Sequence, residues 1–150
     1  MQNLESFKFI GISVQTSNQN GQNAEDLGNL WGRFFAENLM EKIPNKISND
    51  ILTIYTDYQS DFQGSYTALI GYKVTSTDEV PNDLEAREFE SGTFKKYTAK
   101  GIIPNAVIDT WEEIWDNDQI LKRKYSYDFE VYGEKSQNGA DSEVEIYIAV

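Results

Sequence analysis

The sequence predicts an α+β fold in which a strand–helix–strand–strand module occurs twice, with pseudo-twofold symmetry around a central ligand cleft. Two amphipathic helices are predicted at about 24–43 and 104–117, and each lies between one strand-like segment and two more. At 150 residues the chain is expected to form one domain, built from half-repeats at about 4–78 and 82–150. Small-molecule pockets often form at seams between such units, so a cleft is expected between the halves.

The first half is predicted from alternating and helical apolar patterns. A strand at 7–15 is followed by a polar loop at 16–23 and by the helix, which Pro44 ends. The strands at 51–58 and 66–75 are rich in β-branched and aromatic residues and are expected to form a hairpin. The bulky apolar residues of the helix share one face, and they are Leu27, Leu30, Trp31, Phe34, Phe35 and Leu39.

The second half repeats this order after a polar junction around Pro81. A strand near 84–98 leads to the second helix, where Pro104 suits the first turn because its fixed backbone angle matches a helix. Two further strands are predicted at 126–134 and 143–149. The apolar face of this helix comprises Val107, Ile108, Trp111, Ile114 and Trp115.

The composition excludes several classes of function. The formal net charge is −12 and the 13 basic residues are scattered, so direct binding to nucleic acid is not expected. The one dense basic run, Lys122-Arg123-Lys124, is interpreted as a helix C-terminus that interacts favourably with the helix dipole. The chain has neither Cys nor His, which removes thiol nucleophiles, thiolate metal sites and a Ser-His-Asp triad. Asp57 and Asp61 lack the spacing of a calcium site and no Gly-rich phosphate loop is present, so neither a metal nor a cofactor is expected.

The N-terminus lacks the basic start and the apolar run of a signal peptide. No stretch approaches the roughly 20 apolar residues that a membrane span needs. The protein is thus expected to be cytoplasmic, with no membrane segment and with an acidic surface that enriches cations. The sequence leaves open whether an edge strand pairs with a second copy to give a homodimer.

Glu130 is the first candidate site residue because it lies in an otherwise apolar predicted strand. Strand alternation places Asp128 and Tyr132 on the same face as Glu130. Tyr127 and Phe129 take the other face. The face of Glu130 either is solvated or forms the floor of an aromatic cleft. On such a floor the carboxylate would attract a desolvated cation by on the order of 4 kcal/mol at about 4 Å, for an effective dielectric constant near 20.

Six aromatic residues are candidates to line the cleft around Glu130. Each could offer a ring face to a cation, worth about 0.5–2 kcal/mol, or could stack on a planar ring. For each residue taken alone, packing in the core is the alternative interpretation, because large aromatic side chains are mostly buried. The candidates are Trp31, Phe35, Tyr55, Trp111, Trp115 and Tyr132.

Six segments, taken in chain order, form a recognisable set. They are Leu30-Trp31-x-x-Phe34, Tyr55-Thr56-Asp57-Tyr58, Tyr66-x-x-Leu69-Ile70-Gly71-Tyr72, Trp111-x-x-Ile114-Trp115, Asp128-Phe129-Glu130-Val131-Tyr132 and Glu145-Ile146-Tyr147-Ile148. The ordered set resembles the GyrI-like effector-binding domain, the ligand-sensing domain of many AraC-type and MerR-type bacterial regulators. The resemblance covers nearly the whole chain.

The resemblance implies a duplicated strand–helix–strand–strand fold whose cleft lies along the pseudo-twofold axis and binds lipophilic, often cationic drugs and dyes. It also implies that Glu130 is the carboxylate in that cleft. Such a domain usually follows a helix-turn-helix domain, whereas only about six residues precede the first predicted strand here. The chain is therefore expected to be a stand-alone form or an excised domain, without a DNA-binding module.

Three functions are compatible with the sequence. The main prediction is a stand-alone, non-enzymatic binding protein that captures aromatic cations with Glu130 and a cage of rings, and acts by sequestration or through a partner. The second is binding of a protein partner such as DNA gyrase, which the resemblance to stand-alone gyrase-inhibitory relatives implies. The third is a cofactor-free hydrolase of reactive electrophiles, with Glu130 as general base and Tyr55 or Tyr132 as proton donor.

Overall fold

The computed structural model describes residues 1–150, which form an eight-stranded sheet and four α-helices. Every pair of neighbouring strands is antiparallel, and the predicted α+β class is confirmed. None of the helices has the length and the apolar character that a membrane-spanning helix requires. The elements are β1 (Gln2–Leu4), β2 (Phe7–Ser17), α1 (Gln22–Ala36), α2 (Leu39–Lys42), β3 (Ile51–Thr56), β4 (Ser65–Val74), β5 (Glu85–Phe89), β6 (Gly92–Lys100), α3 (Asn105–Asp116), α4 (Asp118–Leu121), β7 (Tyr127–Tyr132) and β8 (Glu143–Ala149).

The strand order is β1-β6-β8-β7-β3-β4-β2-β5, so β3 and β7 lie side by side at the centre of the sheet. Strands of the predicted first half lie mainly on one side of this pair, and strands of the second half lie mainly on the other. Two strands cross over, because β1 pairs with β6 and β5 pairs with β2. This order agrees with a repeated module, while the duplication and its pseudo-twofold symmetry stay predictions.

The sheet curls because a short connection joins strands that lie near its two ends. β5 and β6 lie near opposite ends of the strand order, yet only Glu90 and Ser91 separate them along the chain. A link of this length spans roughly 10 Å at most, so the two ends of the sheet approach each other. The concave face encloses an aromatic-rich core, which includes Phe9, Phe89, Phe94, Tyr127 and Phe129.

The two long helices pack on the opposite face of the sheet, and each covers one flank of it. α1 buries Leu30 and Phe34 against β2 and β4, in a cluster with Ile12 and Ile70. α3 packs its buried residues against β6 and β8 on the other flank. Neither helix packs closely over the central strands. A gap is therefore left above β3 and β7, between α1 and α3.

Two elements that the sequence predicts as continuous are each divided in the structure. The helix predicted at 24–43 is α1 followed by the short α2, because Asn38 has a left-handed backbone conformation (φ 54°) that interrupts the helix. The strand predicted near 84–98 is β5 followed by β6, because the chain crosses from one end of the sheet to the other between them. β1 has no counterpart among the predicted elements.

The pairing of β2 with β4 places two glycines, Gly11 and Gly71, directly opposite each other. A Cβ atom at Gly71 would lie 2.1 Å from the carbonyl oxygen of Ile10, which belongs to the backbone and cannot move aside freely. We expect Gly71→Ala to lower the free energy of unfolding by about 1–3 kcal/mol, measured by urea denaturation.

Gly32→Ala is the matched control for this substitution. A Cβ atom at Gly32 meets nothing within 4 Å, and Ala is the better helix former. The substitution should therefore raise the free energy of unfolding by up to about 1 kcal/mol. A Gly71→Ala variant as stable as the wild type would show that β2 and β4 do not approach each other as closely as described.

Candidate ligand-binding site

The gap above the central strands is a cavity of about 360 Å³. Tyr55 of β3, Tyr66 of β4 and Glu130 of β7 form its floor. Its walls are α1 and α3, which contribute Trp31 and Trp111. Hydrophobic residues make up 12 of the 18 that line the cavity, so it suits a largely apolar ligand.

Glu130 is buried at the floor of the cavity, with 2% of its surface exposed. Its Oε2 atom accepts hydrogen bonds from the indole Nε1 of Trp111 at 2.6 Å and from the hydroxyl of Tyr55 at 3.1 Å. Its Oε1 atom accepts a hydrogen bond from the hydroxyl of Tyr132 at 2.8 Å. Side chains from β3, β7 and α3 thus hold the carboxylate in one position.

Burial raises the pKa of Glu130 above its ordinary value of 4.5, because loss of water disfavours the charged form. The three hydrogen bonds favour the charged form and limit that rise. The pKa values of Tyr55 and Tyr132 are raised well above 10, first by burial and then by the negative charge of Glu130. Both tyrosines therefore keep their protons and act as donors at neutral pH.

A second carboxylate, Asp128, is buried beside Glu130, so the alternative interpretation of this face of β7 as solvated is wrong. Asp128 accepts hydrogen bonds from Arg123 at 2.6 Å and from Tyr58 at 2.5 Å. It also accepts one from the backbone amide of Ala149 at 2.9 Å. The side chains of Arg123 and Asp128 are 1% and 0% exposed. Removal of one partner from a buried pair costs about 3–5 kcal/mol, so this pair anchors the loop before β7 to the sheet.

Charge balance leaves Glu130 as the uncompensated charge of the cavity. Arg123 and Glu130 are the only charged residues that line it, and Arg123 is paired with Asp128. No basic side chain forms an ion pair with Glu130. The cavity therefore carries one net negative charge when Glu130 is ionised, and that charge is surrounded by aromatic rings.

Six of the seven residues that the sequence predicts as ligand-binding line this cavity, and their role in binding stays a prediction. Phe35 does not line it. The Phe35 side chain is 59% exposed, and its ring stacks on Trp31 with a centroid distance of 5.8 Å. Phe35 directly follows the buried Phe34, so the helical rotation turns it away from the sheet. The six lining residues are Glu130, Trp31, Tyr55, Trp111, Trp115 and Tyr132.

The sequence did not indicate several other residues of the cavity. The interpretation of Lys122-Arg123-Lys124 as a basic helix end fits Lys122, which caps α4, and is wrong for Arg123, which is buried. Positive φ angles at Lys122 and Tyr125 change the direction of the chain, and Arg123 reaches Asp128. The sequence did contain a signal for this burial, because an Asp in a buried apolar strand such as β7 needs a basic or hydrogen-bonding partner. The other lining residues without a prediction include Asn18, Leu27, Tyr58, Phe62 and Tyr66.

Comparison with known proteins confirms the resemblance to GyrI-like effector-binding domains. The chain belongs to the Cass2 family of integron-associated effector-binding proteins, whose family model matches residues 1–150. It is 27% identical over 151 residues to YobU of Bacillus subtilis (strain 168), a candidate transcriptional regulator. That match covers 98% of this chain and 94% of YobU.

Two solved structures share the fold over nearly the whole chain. The integron cassette protein VCH_CASS2 of Vibrio cholerae is 31% identical, with a TM-score of 0.77, and the match covers 99% of this chain and 93% of that one. SAV2435, solved with bound tetraphenylphosphonium, is 19% identical, with a TM-score of 0.82 and coverage of 99% and 91%. The fold is therefore one that effector-binding proteins use.

The raised pKa of Glu130 makes stability depend on pH. The folded protein holds this proton more tightly than the unfolded chain does. The free energy of unfolding therefore falls as pH rises from the ordinary value of 4.5 toward the folded value. Because Glu130→Gln cannot titrate, we expect the wild type to lose stability relative to this variant between about pH 4 and pH 7, measured by urea denaturation.

Glu112→Gln makes the same chemical change at an exposed position of α3 that does not line the cavity. It controls for the loss of one negative charge from an acidic protein. For each variant, the free energy of unfolding is subtracted from that of the wild type at each pH. If this difference changes with pH no more for Glu130→Gln than for Glu112→Gln, Glu130 is not a desolvated carboxylate.

Proposed function

We propose that this protein binds a lipophilic aromatic cation in the cavity between α1 and α3. The main support is the carboxylate of Glu130, which is buried without a basic partner at the floor of a ring-lined cavity. Burial of a charge without a compensating partner is unfavourable, and a bound cation reduces that penalty. A neutral apolar ligand leaves the penalty in place.

The attraction is large enough to select for charge. A cation about 5 Å from the carboxylate gains on the order of 3 kcal/mol for an effective dielectric constant near 20. Each ring whose face the cation contacts adds about 0.5–2 kcal/mol, and Trp gives the strongest contact of this kind. Trp31 and Trp111 both line the cavity. Charge and apolar walls together favour an aromatic cation over a neutral aromatic molecule and over a hydrated inorganic ion.

The size of the cavity and the comparisons support the same class of ligand. A volume of about 360 Å³ lies within the range of small-molecule sites, roughly 300–1,000 Å³. The fold neighbour SAV2435 was solved with tetraphenylphosphonium, an aromatic cation, so a fold of this kind can hold one. The chain belongs to a family of effector-binding proteins, which supports binding rather than catalysis as the activity.

Methyltriphenylphosphonium and triphenylphosphine oxide form a matched pair of probes, because they share three phenyl rings and only the first is charged. We expect the phosphonium to bind at least about tenfold more tightly, or about 1.4 kcal/mol, measured by isothermal titration calorimetry and Trp fluorescence. Glu130→Gln should remove most of this preference, because it deletes the charge and keeps the shape and one acceptor oxygen of the side chain.

Glu112→Gln is again the control, because it removes an exposed carboxylate of α3 and should bind the phosphonium as the wild type does. This variant separates the local charge of the cavity from the overall charge of −12. Equal affinity of the wild type for the two probes, or an unchanged preference in Glu130→Gln, would contradict the proposed function.

A further inference from the structure

Glu130 offers a ligand its charge but few free hydrogen-bond acceptor positions. A carboxylate has about four such positions. Trp111 and Tyr55 fill two positions on Oε2, and Tyr132 fills one on Oε1. The remaining position lies on Oε1 of a residue that is 2% exposed. Glu130 can therefore attract a cationic ligand electrostatically while it offers few acceptor positions to an N–H group of that ligand.

Packing against neighbouring rings and pairing of the central strands hold the three donors in position. The ring of Tyr55 packs edge-on against Trp111 with a centroid distance of 5.4 Å. The ring of Tyr132 packs edge-on against Trp31 at 5.2 Å. The two tyrosines lie on β3 and β7, which pair at the centre of the sheet. A ligand N–H that displaced one of the donors would leave a buried N–H or O–H without a partner, which is unfavourable.

Three other polar side chains of the cavity donate hydrogen bonds within the protein, and a fourth, that of Asn23, lies in the first turn of α1 rather than on the strands of the floor. Tyr66 donates to Asn18 at 2.6 Å, and Asn18 donates to the carbonyl oxygen of Phe62 at 2.9 Å. Tyr58 donates to Asp128. Near Glu130, an N–H group of a ligand therefore loses its hydrogen bonds to water and finds mainly phenol oxygens, which are weaker acceptors than water. A cation without N–H groups has no such bonds to lose.

We infer that the cavity selects cations without hydrogen-bond donors, such as quaternary ammonium and phosphonium ions, over protonated amines of the same size and charge. The inference rests on the proposed function and names the ligand class of that site. Tyr132 contributes most to this selectivity, because it alone fills a position on Oε1, whereas Tyr55 and Trp111 share Oε2. Loss of Tyr132 opens both acceptor positions of Oε1 to a ligand.

Two isomeric cations test the selectivity, namely (3,3-diphenylpropyl)trimethylammonium and (3,3-diphenylpropyl)(ethyl)methylammonium. They have the same atoms and charge, and only the second carries an N–H group. The wild type should bind the quaternary isomer about tenfold more tightly near pH 7, measured by isothermal titration calorimetry. In Tyr132→Phe the ratio of affinities should fall to about one or reverse, because the N–H group can then donate to Oε1.

Tyr66→Phe is the matched control. It removes a cavity hydroxyl that donates to Asn18 and not to Glu130, so it must keep the wild-type ratio whatever its effect on affinity. Tyr55→Phe frees a position on Oε2, should lower the ratio in the same direction, and replaces Tyr132→Phe if that variant fails to fold.

Equal affinities of the wild type for the two isomers overturn the inference and leave the proposed function in place. If neither Tyr132→Phe nor Tyr55→Phe changes the ratio of affinities for the two isomers, the inference is likewise overturned and the proposed function stands. No binding of either isomer or of methyltriphenylphosphonium overturns the inference and the proposed function together.

Discussion

The buried carboxylate of Glu130 and its three aromatic hydrogen-bond donors connect the sheet to α3 and define the cavity. The donors come from β3, β7 and α3, so the carboxylate helps to fix α3 relative to the central strands. Because Tyr and Trp donors carry no positive charge, they orient the carboxylate without neutralising it. Asp128, two residues earlier on the same face of β7, is paired with Arg123 and acts as a structural anchor. Of these neighbouring carboxylates, Asp128 therefore has a basic partner and Glu130 has none.

The architecture leaves room for an unpaired charge because most of the core lies elsewhere. The curled sheet has an aromatic core of its own on the concave face, where for example Phe94 and Phe129 pack with a centroid distance of 5.7 Å. On the opposite face the two long helices bury the flanks of the sheet in separate clusters. The strip above β3 and β7 contributes less to these clusters, and its side chains are therefore available to surround a ligand.

Periodicity along a single segment was sufficient to predict the α+β class, the two main helices and the face of β7 on which Glu130 lies. Breaks within elements were not predicted, although Ser91-Gly92 is a turn dipeptide between β5 and β6 and Asn38 is a residue type that tolerates a left-handed conformation. The burial of Arg123 depends on a loop conformation and on a partner five residues away, which a local charge pattern does not report. Phe35 fits the apolar face of α1 by spacing, yet the edge of that face lies outside the cavity. Local patterns thus predicted faces of elements, while the cavity depends on which faces remain uncovered.

Titration of the Glu130 carboxyl group alone is the most direct test of whether a bound cation relieves a desolvated charge. Carbon-13 NMR of this group, assigned by comparison with Glu130→Gln, gives its pKa in the free protein and in protein saturated with methyltriphenylphosphonium. We expect the pKa in the free protein to lie above the ordinary value of 4.5 because of burial. We expect it to fall on binding, because a nearby positive charge favours the ionised form. A pKa that saturation with the phosphonium leaves unchanged would contradict the role of Glu130 as the charge that recognises the ligand.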